Sequence, residues 1–187
     1  MKKNIALFVL GALLSISTQA MQIGGIKLPD SLQAGDTPLT LNGAGIRTKW
    51  MMDIYVGGLY LESNSSAAKQ IIAADQPMAI RLHMVSGLIT SEKMEDATME
   101  GFKNATGGNT QPLDAYIDSF MAVFREPISE GDVFDLIYEP GKGIDVHKNG
   151  EFKDTVDGGL PFKQAVFTIW LGKKPAHGGL KKGMLGK

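Results

Sequence analysis

The order of strand-like and helix-like segments is the feature of this sequence that most constrains its fold. Strand character occurs at residues 39–42, 50–61 and 78–85, and it returns at residues 132–138 after two helical patterns. A parallel doubly wound sheet would alternate strands and helices along the chain, whereas grouped strands and grouped helices are typical of α+β proteins. The sequence therefore predicts an antiparallel α+β fold.

Two local patterns define strands most clearly. Met78, Ile80, Leu82 and Met84 share one face, with Arg81 and His83 on the other, which is the period of a strand with one buried face. Asn149-Gly150 separates two further strand-like segments, and this dipeptide favours a type I′ hairpin turn because both positions need a positive φ.

Four segments have helical periodicity, and each ends near a glycine or a proline. These segments are residues 65–74, 90–105, 113–124 and 161–171. Thr90 is a candidate N-cap of the second segment, and Gly107 and Gly108 are positioned to end it.

The N-terminus has the pattern of a secretory signal peptide. Lys2 and Lys3 precede an apolar run at residues 5–16, and small residues lie before a cleavage point near Ala20. The run is too short to cross a bilayer, and without cysteine the chain cannot carry a lipid on that side chain. We expect a signal peptide at residues 1–20, one domain at residues 21–187, and a periplasmic location.

Charge and composition exclude several classes of function. The chain has 19 basic and 20 acidic residues, so it lacks the basic surface that nucleic-acid binding needs. Its 3 histidines are widely spaced and it has no cysteine, so we expect no metal site. We find no phosphate-binding or dinucleotide motif, no further transmembrane span and no sign of a cofactor. The oligomeric state is not indicated.

An unusual group of glycines lies around Arg47. Gly43 and Gly45 precede this arginine, and Gly57 and Gly58 interrupt the next strand. Glycine weakens a strand unless a bulge is formed or a helix or ligand approaches closely. Arg47 is therefore either open to a planar oxyanion or a surface residue beside bulges, and the residues alone leave both interpretations open.

Several segments, in order, carry a resemblance to a known family. They are residues 25–29, 41–49, 55–61, 80–83, 131–141, 169–172 and 180–186. Together they resemble the chalcone isomerase-like family, in particular its bacterial exported branch. The resemblance implies an open-faced sandwich, in which an antiparallel sheet carries a helical layer on one face that encloses a ligand cleft.

The resemblance also implies roles for individual residues. Arg47 matches the arginine that stabilises an oxyanion in the family's enzymes. Tyr55 falls where the enzymes have a threonine and where fatty-acid-binding relatives use a tyrosine. Met94 and Gly101 fall at a catalytic tyrosine and asparagine, yet methionine donates no hydrogen bond and glycine has no side chain. The anion anchor is thus retained while most of the polar catalytic groups are absent.

We therefore expect a non-catalytic protein that binds a small amphipathic acid such as a fatty acid. The expected ligand-binding residues are Arg47, Tyr55, Met94 and Phe102, although a Met/Phe stripe at helical spacing is also typical of ordinary core. One alternative is an intramolecular lyase or isomerase that uses Arg47 and Tyr55 on an unknown substrate. Another is an interaction module with a vestigial pocket.

Two expectations depend on geometry that the sequence does not give. Arg47 and Tyr55 would lie about 26 Å apart in a straight strand, so they can share a carboxylate only if the chain turns between Thr48 and Met52. The basic tail at residues 173–187 either makes a weak contact with a membrane surface or is solvated, with Leu180 or Leu185 docked on the domain.

Overall fold

The computed structural model describes residues 21–187. The predicted signal peptide, residues 1–20, lies outside the described residues. Among the residues described, no helix is both long and apolar enough to span a bilayer.

A seven-stranded antiparallel sheet forms the body of the protein, and each of its strands pairs with the next one along the chain. Its strands are β3 (Ser31–Ala34), β4 (Thr37–Lys49), β5 (Met52–Leu61), β6 (Met78–Met84), β7 (Val133–Glu139), β8 (Gly143–Lys148) and β9 (Glu151–Val156). A separate two-stranded hairpin precedes it, formed by β1 (Gln22–Ile23) and β2 (Ile26–Lys27).

Five α-helices accompany the sheet. They are α1 (Ala68–Ala73), α2 (Ser91–Ala105), α3 (Asp114–Ala122), α4 (Gly159–Leu171) and α5 (Gly178–Met184), with short 3₁₀ turns at Gln111–Leu113 and Val123–Arg125. Thr90 caps α2 as predicted, since its side chain accepts a hydrogen bond from the Lys93 amide. Gly107 and Gly108 follow the end of that helix with positive φ.

The main hydrophobic core lies between one face of the sheet and the helices. On β6, Met78, Ile80, Leu82 and Met84 belong to this core, whereas Arg81 on the opposite face pairs with β7. The prediction of an α+β open-faced sandwich with helices on one face is confirmed.

The structure differs from the predicted elements at the start of the sheet. β4 is much longer than the predicted segment 39–42, and β3 was not predicted, because its four residues are too few to establish a strand period. Trp50, predicted as the start of a strand, lies instead in the turn between β4 and β5, where Trp50 and Met51 have φ of 50° and 63°. The β8–β9 turn is as predicted, with Asn149 and Gly150 at φ of 55° and 80°.

The C-terminal segment is a short helix that packs on the sheet. Leu180 and Met184 of α5 are fully buried, and Leu185 is 5% exposed. The predicted docking of Leu180 or Leu185 is therefore confirmed. The helix itself was not predicted, because three glycines within it reduce its intrinsic propensity, and it depends on packing against the sheet.

Candidate functional site

Arg47 and Tyr55 face each other across the β4–β5 hairpin. They are direct partners in the antiparallel register, because the turn at Trp50-Met51 reverses the chain between them. The guanidinium carbon of Arg47 lies 5.5 Å from the centroid of the Tyr55 ring, which is within range of a cation–π contact. The turn that a shared carboxylate requires is thus present.

Arg47 differs from the protein's two other arginines in its bonding. Arg81 donates to both carboxylate oxygens of Asp135, at 2.6 and 2.7 Å, and Arg125 lies 3.8 Å from Glu95. Arg47 is half-buried, and within residues 21–187 its guanidinium has neither a hydrogen-bond acceptor nor an ion-pair partner. Its planar set of N–H donors is therefore available to an anion such as a carboxylate.

Tyr55 is buried, and a side chain of the helical layer bonds to its hydroxyl group. Its hydroxyl oxygen accepts a hydrogen bond of 2.9 Å from Nε1 of Trp170 on α4. Burial raises the pKa of Tyr55, and this outweighs the opposing effects of the Arg47 charge and the Trp170 hydrogen bond. The phenol therefore stays protonated at neutral pH, so its O–H remains a donor.

A β-bulge shapes the strand next to this pair. Arg47 pairs with Tyr55 and Thr48 pairs with Asp53, so Ile54 has no partner on β4. Both Ile54 and Tyr55 consequently belong to the main core, although successive strand residues normally point to opposite faces. The bulge brings an apolar side chain beside the arginine.

A cavity of about 200 Å³ opens at Arg47, between the β4–β5 hairpin and the start of α2. Three cations and no carboxylate line it, and its other walls are apolar side chains. The lining residues are Arg47, Lys49, Trp50, Met52, Ile54, Leu88, Ile89, Lys93 and Ala97. A cationic, otherwise apolar cavity of this kind matches an amphipathic anion.

Two larger depressions lie elsewhere on the surface. One, of about 340 Å³, lies beside α1 and is lined by one charged residue, Glu62. The other, of about 590 Å³, lies at the far end of α2, beside Lys103, Lys173 and Lys174. Neither contains an arginine without a partner, so the smaller cavity is the better candidate for a site.

Three of the four glycines around Arg47 are explained by helix α5. A Cβ on Gly45 would lie 2.8 Å from the Leu180 Cα, and a Cβ on Gly57 would lie 2.9 Å from the Leu180 side chain. These glycines therefore allow the helix to approach the sheet, and they share one face with Arg47. Close approach of a helix therefore accounts for Gly43, Gly45 and Gly57, whereas a Cβ on Gly58 would meet Leu28 and Leu41 instead.

The two predicted residues of α2 occupy different surroundings. Met94 is 3% exposed and belongs to the main core, while its neighbour Lys93 lines the cavity. Phe102 is fully buried among aromatic rings, and its ring centroid lies 5.8 Å from those of both Phe120 and Phe162. The structure thus brings Arg47 and Tyr55 together and places Phe102 in the helical core. The binding roles of Met94 and Phe102 stay predictions.

Sequence patterns did not single out three residues that complete this region. Trp170 lies in the predicted helical segment 161–171, and neither Lys49 nor Lys93 was assigned a role. Polar side chains from separate elements meet at the Arg47 cavity only after folding, so no local spacing indicates them. No group of three or more His, Asp or Glu side chains suited to a metal occurs within residues 21–187.

The family profile described as chalcone isomerase-like matches residues 20–186. Fatty-acid-binding protein 1 of Arabidopsis thaliana is 24% identical over 182 residues, covering 81% of this chain and 63% of the relative's own length. The crystal structure of a fatty-acid-binding protein of Arabidopsis thaliana superposes with a TM-score of 0.71 at 19% identity, covering 89% of this chain and 96% of that one. The fold is therefore shared with that structure. Because the profile spans nearly all of the described residues, this chain belongs to the chalcone isomerase-like family.

Proposed function

We propose that this protein binds a fatty acid without transforming it, in the cavity between the β4–β5 hairpin and α2. The carboxylate bonds to the Arg47 guanidinium, while Tyr55, which is buried and does not line the cavity, positions this guanidinium through its ring. One observation carries the proposal: Arg47 is half-buried beside an apolar cavity and has no acceptor among the described residues. Similarity to plant fatty-acid-binding proteins supports it.

The charge of the cavity favours an acid over a neutral lipid. Lys49 and Lys93 line the cavity with Arg47, and no carboxylate of residues 21–187 offsets them there. Lys93 donates a hydrogen bond of 2.9 Å to the Leu88 carbonyl, so this ammonium is held near the loop that closes the cavity. We expect the methyl ester of an acid to bind more weakly than the acid itself.

The size of the cavity limits how much of the acyl chain it can hold. Its volume of about 200 Å³ is below the ~300–1,000 Å³ typical of ligand pockets. Affinity should therefore rise by about 0.8 kcal/mol per methylene until the cavity is filled, and then level off. A series of saturated acids from butanoate to palmitate, measured by calorimetry, locates this break. An affinity that does not change with acyl-chain length, from the shortest acid onwards, would contradict burial of the acyl chain.

The environment of the expected catalytic positions supports a binding role. Met94 supplies a thioether rather than an acidic hydroxyl, and it is buried in the core. Gly101 is needed for helix packing, because a Cβ there would lie 2.7 Å from the Ile169 side chain on α4. The family's polar pair is thus replaced by groups that neither donate nor accept protons.

We further propose that the protein is exported to the periplasm and loses residues 1–20. The charged, apolar and small-residue segments at the N-terminus support this, and the family match begins at residue 20. N-terminal sequencing of the protein from a periplasmic extract should read from Met21. An intact N-terminus on protein recovered only from the cytoplasm would contradict export.

A weak contact of the C-terminal segment with an anionic membrane is also proposed. With α5 docked on the sheet, four lysines in and around this helix remain exposed: Lys173, Lys174, Lys182 and Lys187. Because few charges are involved and no apolar side chain accompanies them, we expect replacing Lys173 and Lys174 by Gln to lower vesicle affinity by at most a few fold.

The decisive experiment compares two arginines. Replacing Arg47 by Gln should weaken binding of a saturated acid by roughly 1.5–3 kcal/mol, the range for a hydrogen bond to a charged group. Arg125→Gln is the matched control, because its side chain is 62% exposed and does not line the cavity. Native mass spectrometry of the purified protein should also show a bound acid. Equal affinity in both variants, or no binding by the wild type, would contradict the proposal.

A further inference from the structure

Exposed apolar side chains are concentrated at the mouth of the Arg47 cavity. Among residues 21–187, seven large apolar side chains are exposed, and four of them lie in the β4–β5 turn, at the start of β5 or in the loop facing them. These four are Trp50 (80% exposed), Met51 (98%), Met52 (42%) and Leu88 (46%). We name these four residues the apolar tip.

The backbone of the turn is poorly suited to its two central residues. Trp50 and Met51 both have a positive φ, of 50° and 63°, a region that large side chains rarely occupy and that carries strain. In the same protein, the β8–β9 turn uses Asn149-Gly150 at similar angles, which is the favoured pair for such a turn. Two large apolar side chains are thus kept at positions where small polar residues would fit better.

Basic side chains surround the apolar tip. The Lys49 ammonium lies 5.0 Å from the Trp50 ring centroid, and Lys93 bonds to the Leu88 carbonyl. The nearby carboxylate on the hairpin, Asp53, accepts a hydrogen bond from Thr48 at the base of the turn. Tryptophan and other apolar side chains flanked by lysines suit the interface of a bilayer with anionic headgroups.

We propose that the apolar tip docks on the surface of an anionic lipid bilayer, with Lys49 and Lys93 against the headgroups. Trp50, Met52 and Leu88 also line the cavity, so docking brings its mouth against the lipid. An acyl chain then passes between bilayer and cavity without crossing water. Transfer of the acyl chain rests on the proposed function, whereas docking on the bilayer can be measured without added fatty acid.

The first test uses the fluorescence of Trp50. Trp170, the chain's other tryptophan, is 3% exposed, so subtracting the spectrum of Trp50→Phe isolates the emission of Trp50. With phosphatidylcholine–phosphatidylglycerol vesicles, this emission should shift to shorter wavelength, and lipids brominated near the headgroup should quench it. Trp170 emission should not change. Absence of both the shift and the quenching would overturn the inference.

The second test measures vesicle affinity by flotation. All variants are compared in the same N-terminal form, so any contribution of residues 1–20 is common to them. Met51→Gly removes the most exposed apolar side chain at a position that favours glycine, and should lower affinity several fold. Trp50→Asn with Met51→Gly should lower it at least tenfold. Lys49→Gln with Lys93→Gln should lower it by about tenfold or more on anionic vesicles only.

Matched controls separate this surface from others. Phe152→Ser removes a 53%-exposed apolar side chain near the other hairpin and should bind vesicles as the wild type does. Equal loss in Phe152→Ser and Met51→Gly, or loss only in the Lys173→Gln, Lys174→Gln variant, would overturn the inference.

Failure of docking is distinguishable from failure of the proposed function. Met51 does not line the cavity, so Met51→Gly should bind a fatty acid in solution as the wild type does. If this acid binding is normal and vesicle binding does not depend on the apolar tip, only the docking inference fails. If vesicles bind through the tip but no acid binds, only the proposed function fails.

Discussion

Two tight hairpin turns of the sheet, β4–β5 and β8–β9, have similar backbone angles and opposite side-chain chemistry. The β8–β9 turn has Asn149-Gly150, and the Asn149 side chain accepts a hydrogen bond from the Val133 amide at 2.8 Å and donates one to Asp132 at 2.9 Å. The β4–β5 turn has Trp50-Met51, whose side chains are largely exposed. One turn is stabilised by its own residues, whereas the other is held in place by the ribbon beneath it.

The ribbon beneath the β4–β5 turn, formed by the paired strands β4 and β5, is long and is covered by helix α5. β4 and β5 share nine paired positions, against five for β8 and β9, and α5 packs against the glycines of β4 and β5. Strained residues persist where the surrounding structure fixes them, and they cluster at functional sites. The difference indicates that the β8–β9 turn contributes to the stability of the fold. The β4–β5 turn instead costs stability, and it positions the mouth of the Arg47 cavity.

The largest effect should come from removing the close approach of α5. A Cβ on Gly45 would lie 2.8 Å from backbone atoms of Leu180, which cannot move away cheaply. Gly45→Ala should therefore lower the free energy of unfolding by about 2–3 kcal/mol, measured by urea denaturation. Gly87→Ala is the control, since nothing lies within 4 Å of a Cβ there. Equal stability of the two variants would show that α5 does not support the ribbon.

A somewhat smaller loss of stability is expected when the β8–β9 turn is altered. Asn149→Ala removes two side-chain hydrogen bonds and leaves a residue with a Cβ at positive φ. It should lower the free energy of unfolding by about 2 kcal/mol while leaving fatty-acid affinity unchanged. A loss below about 0.5 kcal/mol, which is ordinary for surface substitutions, would remove the contrast between the hairpins.

Placing the residues of the β8–β9 turn in the β4–β5 turn should raise the free energy of unfolding rather than lower it. The variant Trp50→Asn with Met51→Gly places the favoured type I′ pair at positive φ, so thermal and urea denaturation should show a gain of about 1 kcal/mol. Loss of stability instead would mean that Trp50 and Met51 hold the turn together, and the interpretation of the strain would be wrong.

The smallest effect is a pH dependence confined to the β8–β9 side. Partial burial tends to raise the pKa of Asp132, but hydrogen bonds from Asn149 and the Ser129 amide, with the Lys148 charge, bring it below its ordinary value. A carboxyl with a lowered folded pKa stabilises the protein above its unfolded pKa, about 3.9, and this contribution is lost as pH falls through the folded pKa.

NMR titration of the Asp132 carboxyl carbon measures this directly. Its pKa should lie below the ordinary value in the wild type and rise in Asn149→Ala, which removes one of the hydrogen bonds. The same pKa in both proteins would contradict the role given to Asn149.

The parts of the fold that could be predicted are those set by local patterns. The alternation at β6 and the Asn149-Gly150 turn follow from side-chain period and from residues that accept positive φ. β3 and α5 could not be predicted in the same way. β3 is a short edge strand, and α5 contains three glycines and exists because the sheet offers a flat surface to pack against.

The site shows the same division. Arg47 and Tyr55 were identified, and the turn that joins them was stated as a requirement. The residues that hold and surround them come from α2 and α4, so Lys93 and Trp170 reach the pair only through tertiary packing. The glycines near Arg47 suggested either an open site or bulges, and the position of α5 explains three of the four.

Titration of a fatty acid labelled with carbon-13 at its carboxyl group tests the central claim most directly. In the wild type, a carboxylate bonded to the Arg47 guanidinium should stay ionised to a lower pH than the same acid free in solution. In Arg47→Gln, the bound acid should lose this shift or fail to bind. A bound acid that titrates identically in both proteins would show that Arg47 does not hold the carboxylate.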